Sequence, residues 1–219
     1  MIKLLFVLLF ILSGCGPRSY SLPAINLPGL SSKAITVNPD RLIRINGVII
    51  EQMPLLANHV LFLADVDAVD KPYIDILIDS PGGSIFHGNM MVQAIKAAKS
   101  RGYTVRCMVT SKAASMAFVI FTYCSERYVF STSRLLWHQP SSGVRGRVTP
   151  QKAGQLKKLM EDLVFEFELQ AKYVMGVSDE FYEEHKMVDR WHIAFLLQHQ
   201  VKASFFTIID DIRGIDDLY

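Results

Sequence analysis

Cysteine is scarce in this chain, with 3 among 219 residues. That is too few for a disulfide-stapled scaffold, and no Cys-x-x-Cys pair marks a zinc or thiol-redox centre. His-Glu-x-x-His and Gly-Lys-Ser/Thr are also missing, which removes the common metallopeptidase and phosphate-loop chemistries. "DVDAVD" (65–70) lacks the glycine of a calcium loop and reads as a solvated helix end. No metal and no cofactor is expected. Charge of one sign is lacking too. Lys and Arg number 23 against 21 Asp and Glu, a net charge of +2, and no basic run is longer than Lys157-Lys158. Nothing here has the electrostatic footprint of nucleic-acid binding. Repeats and low-complexity tracts are absent. What remains is half hydrophobic and one-fifth charged, the balance of a folded domain with a single core.

Long apolar runs are missing except at the start. Lys3 is followed by nine consecutive apolar residues, Leu4 to Leu12. A spanning helix needs about 20, so the run is too short to cross a bilayer and fits a secretory signal. "LSGC" (12–15) resembles the lipobox of bacterial lipoproteins, which implies cleavage before Cys15 and lipid on that cysteine. The expected organisation is a signal peptide at 1–14, a Pro/Ser/Gly-rich lipid-anchored tether at 15–35, and one domain at 36–219. The expected location is exported and membrane-anchored, facing the periplasm or the cell surface. Gly16 after the cysteine favours the outer membrane by the same resemblance. Cys107 and Cys124 then remain in a compartment that permits disulfides, either as a pair or as two buried thiols.

Beyond the tether, periodicity predicts alternating elements. "LIRINGVII" (42–50) reads as a strand or strand pair, and Leu56, Val60, Leu63 and Ala64 recur at helical spacing. "YIDILID" (73–79) is an almost continuous apolar run, as in a buried parallel strand, and ends at the turn signal "SPGGS". A helical stripe from Phe86 to Ala98 precedes the stop at Gly102, and the strand "YTVRCMV" (103–109) follows. An apolar helix runs from about Ser115, then the strands "RYVF" and "RLLWH". The order β-α-β-α-β-α implies an α/β fold with a parallel sheet and right-handed crossovers. "SPGGS" and "SKAAS" both fall at carboxyl ends of strands, where such sheets form their crevice. Thr149-Pro150 opens a long helix to about Val174, Ser178 caps a short one, and "FFTIID" reads as a closing strand.

Ser115 sits where a strand turns into a helix. Unpaired N–H groups and the positive end of the helix dipole gather there, which suits a nucleophile next to an oxyanion. Serine is equally a common helix N-cap, so the residue type alone leaves both readings open. Of the six histidines, His138 stands at a strand end in "LLWHQP". The other five lie on helical or polar stretches that suit solvated surface imidazoles. Spacing selects no orienting carboxylate.

Four blocks together resemble the proteolytic subunit of the Clp proteases, within the Clp-protease/crotonase superfamily. "IDSPGGSIFHG" (78–88) is similar to its glycine loop, "SKAASMAF" (111–118) to its nucleophile turn Gly-Gln-Ala-Ala-Ser-Met-Gly, and "LLWHQP" (135–140) to its Met-Ile-His-Gln-Pro. "VDRWHIA" (188–194) is a weaker match to its Asp-Arg-Asp/Asn-Phe-Met-Ser-Ala. The resemblance covers about 42–208. It implies repeated β-α-β units with a protruding handle, made of a strand at 141–149 and the long helix. It implies a serine peptidase acting on unfolded polypeptides or peptides. Ser115 would be the nucleophile, His138 the base and then the acid, Asp189 its orienting partner, and Gly83 and Met116 the backbone oxyanion donors. A homo-oligomeric ring is implied as well. An exported chain has no ATP, so no ATPase partner is expected. Lys112 departs from the family pattern just before the nucleophile turn. It is either a solvated lysine or half of a serine–lysine dyad like that of the related signal-peptide peptidases. A non-catalytic peptide-binding or assembly member is the remaining alternative.

Overall fold

A computed structural model of the protein describes residues 33–65, 73–138, 149–186 and 191–215. Five strands form a wholly parallel row. They are β2 (Leu42–Asn46), β3 (Ile74–Ser80), β4 (Val105–Ala114), β5 (Glu126–Phe130) and β8 (Thr207–Ile209), paired in that order. The crossovers are α1 (Met53–Asp65), α2 (Ile85–Ser100) and α3 (Met116–Tyr123). Ile43, Ile45, Ile74, Ile76, Ile78, Val105, Cys107 and Val109 are fully buried in the main core, packed with Met91, Ile95, Phe118 and Phe121 of the helices. Both faces of such a sheet are covered, so β3 reads as an apolar run rather than an alternation.

β3 carries two charges, Asp75 and Asp79, and the buried one, Asp75, is paired. Asp75 is 1 % exposed and takes two bonds from Arg106, its neighbour across the β3–β4 register, at 2.6 and 2.7 Å. Arg106 Nη2 also donates to the Thr36 carbonyl at 2.9 Å, and the guanidinium lies 3.9 Å from the centre of the Tyr73 ring. The bidentate pair thereby ties β1 (Ala34–Thr36) to the main sheet. β1 itself pairs in parallel with β9 (Asp211–Arg213). Pairing begins at Ala34, two residues inside the stretch read as tether.

Other boundaries moved as well. β2 stops at Asn46, because Gly47 takes φ +76, and only Ile49 of the following residues makes a bridge, to Gly83. The closing strand is confined to Thr207–Ile209, beside β5. β4 runs five residues beyond the Val109 expected from its apolar run. At Val109 it loses β5, and from Lys112 it pairs instead with β6 (Arg134–Leu136). Between those points two residues of β3, from Ile78 to Ser80, span four of β4, from Val109 to Ala113. This bulge swings the strand end sideways.

The long helix α4 (Pro150–Met175) has 26 residues, about 39 Å at 1.5 Å per residue. Thr149 caps it, accepting from Lys152 N–H, and Gly176 ends it at φ +66. Its buried residues, Phe167, Ala171, Val174 and Met175, all lie in its second half. α5 (Asp179–Lys186), β7 (His192–Ile193) and α6 (Ala194–Leu197) follow, with β7 antiparallel to β6. No helix among the described residues is long and apolar enough to cross a membrane. The predicted strand at 141–149 lies, except for Thr149, outside the described residues, as do the signal peptide and tether up to residue 32 and "DVDAVD" after Asp65.

Arg106→Leu leaves a buried carboxylate without its partner. Unfolding by denaturant should show a loss of about 3–5 kcal/mol, and the double variant Asp75→Leu/Arg106→Leu should recover much of it.

Candidate active site

Ser115 has φ +52 and ψ −124, and it is the one non-glycine residue with positive φ among the described residues. Such a backbone costs about 1–3 kcal/mol and persists only where the surroundings over-determine it. Three contacts do so here. The Ser115 N–H donates to the Leu136 carbonyl at 2.9 Å, extending the β4–β6 pairing by one step. Its own carbonyl accepts from Val119 N–H, the first turn of α3. On the third side lies the glycine loop. A Cβ on Gly82 would stand 2.5 Å from the Ala114 carbonyl oxygen and 2.7 Å from Ser115 Cβ, so only glycine fits there. The two loops predicted to meet at the strand ends are therefore in contact.

Ser115 occupies the N-cap position of α3, yet its hydroxyl makes no capping bond. Ser115 is half-buried and lines a cleft. His138 lines the same cleft, two residues beyond the Leu136 that holds the Ser115 backbone. The other walls are chiefly apolar: Met116, Phe118 and Val119 of α3, Trp137, and Val164, Phe167 and Ala171 of α4. Glu168 and Tyr182 complete them on the polar side. Burial, helped by Glu168 and Glu183, pushes the Tyr182 phenol well above its ordinary pKa, so it stays protonated.

The backbone donors differ in their engagement. Gly82 N–H is bonded to Ser80 Oγ at 3.0 Å. In the bridge to Ile49, Gly82 supplies the carbonyl and Ser84 the N–H. Gly83 therefore directs its own N–H to the opposite edge. It is exposed, at φ +149, and a Cβ there would meet the Ile49 carbonyl oxygen at 2.4 Å. Met116 N–H is in the first turn of α3, where a helix offers no internal acceptor. The Met116 side chain is buried against α2, and a Cβ on Gly88 would fall 2.2 Å from its Cγ.

Lys112 reaches towards the neighbouring strand instead, with Nζ 3.9 Å from Asp79 Oδ1 and both side chains 40 % exposed. It is not part of the cleft wall. Cys107 on β4 and Cys124 after α3 are joined as a disulfide, with Cα atoms 5.9 Å apart and both residues buried. The bridge closes a loop that contains the Ser115 turn. Asp189 and Cys15 lie outside the described residues.

Several residues at the site gave no sequence signal. Ser133 is fully buried; its hydroxyl donates to the Val109 carbonyl at 2.7 Å, where β4 leaves β5, and its carbonyl accepts from Ala194 N–H. His185 was expected on the surface and is buried, its Nδ1 2.7 Å from the Phe181 carbonyl oxygen. The reason is that α5 turns Phe181, Tyr182 and His185 onto Trp137. His192, also expected to be solvated, stacks on Trp137 at 4.5 Å and 9°.

Replacing Cys107 and Cys124 by alanine opens a loop of this size, and denaturant unfolding should register a loss of about 3 kcal/mol.

A sequence model of the Clp protease family matches residues 33–173. The "ATP-dependent Clp protease proteolytic subunit" of Paracoccus denitrificans is 32 % identical over 164 residues, which cover 73 % of this chain and 75 % of that protein.

Proposed function

The chain belongs to the Clp protease family, and from that premise we propose that it is a serine peptidase that cleaves unfolded polypeptides or peptides through an acyl-enzyme. The observation that carries the proposal is Ser115: a strained, uncapped serine on a strand-to-helix turn, sharing its cleft with His138. His138 takes the proton from Ser115 Oγ as that oxygen bonds to the scissile carbonyl carbon. The resulting oxyanion is met by the N–H groups of Gly83 and Met116, each such donor worth about 3–4 kcal/mol in the transition state. The C–N bond then breaks, and His138 returns the proton to the leaving amine. Water, deprotonated by the same imidazole, releases the acyl group and restores Ser115. Asp189 holds the imidazole in the productive tautomer and stabilises its charged form. In support, His192, three residues after Asp189, is stacked on the tryptophan that precedes His138.

The relative's name states dependence on ATP; for this chain we propose cleavage without ATP. The grounds are its amino-terminal pattern, read as that of an exported lipoprotein anchored through Cys15 and facing the periplasm, at the outer membrane, or the cell surface. A ring of identical subunits fits the exposed Leu159, Phe165, Leu169 and Tyr173 of α4.

A fluorophosphonate probe should label the folded protein at Ser115 and fail on Ser115→Ala. Peptide turnover should fall by about 10⁶-fold in Ser115→Ala and about 10⁴-fold in Asp189→Asn. Lys112→Ala should cost less than about fivefold, the scale of an exposed ion pair. Activity that survives His138→Ala but not Lys112→Ala would transfer the role of base to the lysine. Cells fed labelled palmitate should incorporate it into the wild-type chain and not into Cys15→Ala.

A further inference from the structure

One carboxylate fastens α4 to both α2 and α3. Glu166 Oε1 accepts from Lys96 Nζ of α2 at 2.7 Å and from the Tyr123 hydroxyl of α3 at 3.2 Å. Lys96 Nζ also lies 4.9 Å from the centre of the Tyr123 ring. Tyr123 is buried, and burial, helped by Glu166, pushes its phenol well above its ordinary pKa. The phenol therefore stays a donor, and a buried donor needs an acceptor. The bond from Lys96 in turn holds the Glu166 carboxyl below its ordinary pKa, so the acceptor is charged. One turn later, Gln170 Nε2 donates to the Thr122 carbonyl at 3.3 Å. The buried residues of α4 all follow Glu166 in the chain, so the carboxylate stands at the start of the buried half.

The same stretch of α4 lines the cleft of Ser115 through Val164, Phe167 and Ala171. At about 3.6 residues per turn, Glu166 and Gln170 lie on one flank of that stripe and Lys172 on the other. Lys172 binds Asp179 and Glu183 of α5. The helix is thus pinned on both sides of the face it gives to the cleft. We propose that Glu166 is a positioning residue for the peptidase: bonded to Lys96 and Tyr123, it fixes the rotation of α4 about its axis and keeps that apolar stripe in the cleft wall. The Lys96–Glu166 pair is 40 and 49 % exposed, and such a pair alone contributes little. The buried phenol, which would lose its acceptor, gives the contact its weight. Loss of Glu166 loosens the wall and leaves Ser115 and His138 in place. The inference rests on the peptidase reading for its kinetic assay; the wall it describes does not require turnover.

The test compares Glu166→Ala, Glu166→Gln, Tyr123→Phe and the double variant Tyr123→Phe/Glu166→Ala, as full chains, on one peptide substrate. In Glu166→Ala, KM should rise about fivefold, while kcat and the rate of fluorophosphonate labelling at Ser115 stay within about twofold. Glu166→Gln keeps an acceptor oxygen for both donors and should hold KM within about twofold of the wild type. Tyr123→Phe should raise KM in the same direction, and the double variant should be no worse than Glu166→Ala, because the two groups act as one. The native mass of the assembly is measured on the same samples. A fall in kcat or labelling rate in step with KM overturns the proposal, as does a rise in KM that follows a loss of assembly mass. Turnover with a KM indifferent to Glu166 removes the positioning role and leaves the peptidase. Absence of both labelling and turnover removes the peptidase. The positioning role is then read from the affinity of Ser115→Ala for the same peptide, which Glu166→Ala should weaken about fivefold. Unchanged affinity overturns it.

Discussion

At Val109 the strand β4 exchanges one neighbour for another, and the geometry of the cleft depends on that exchange. Up to Val109 it is a central strand between β3 and β5. Beyond it, the bulge carries the chain to β6, and the new pairing ends in the bond from Ser115 N–H to the Leu136 carbonyl. Had β4 stayed beside β5, Ser115 would have no backbone link to the strand that leads into His138. The freed Val109 carbonyl is taken up by the Ser133 hydroxyl, so the switch leaves no buried acceptor orphaned there.

The strain at Ser115 follows from the same constraint. A chain that must leave a strand paired on both sides and enter a buried helix within one residue has few backbone conformations to choose from. Glycine would adopt φ +52 without penalty, but it has no hydroxyl. Serine there is held in place by Leu136, α3 and the glycine loop together. The disulfide from Cys107 to Cys124 encloses the turn, joining the start of β4 to the end of α3.

The far side of the cleft is built differently. α4 buries only its second half, and there Phe167 and Ala171 close the wall opposite Met116 and Phe118. Trp137 is wedged between that wall and the aromatic face of α5. Lys172 fastens α5 to α4, with Nζ 2.9 Å from Asp179 and 3.6 Å from Glu183. The walls of the cleft thus come from segments separated by up to about a hundred residues, joined by packing rather than by sheet pairing.

The sequence by itself determined the alternation of strands and helices, the parallel character of the sheet, and the location of the serine and glycine turns at strand ends. These are local properties: hydrophobic period, glycine stops and helix caps act over a few residues. It also carried the motifs that place the chain in its family. Tertiary structure alone decided that β4 outruns its apolar stretch, since "TSKAA" has neither the pattern nor the composition of a strand and is held there by β6. The short strands β1 and β9 were equally invisible, three residues each and far apart in the chain. The burial of His185, the unpaired indole of Trp137 and the diversion of Lys112 to Asp79 are contacts with distant residues. Side-chain type sets what such groups can do; which neighbours they meet is settled only when the elements pack.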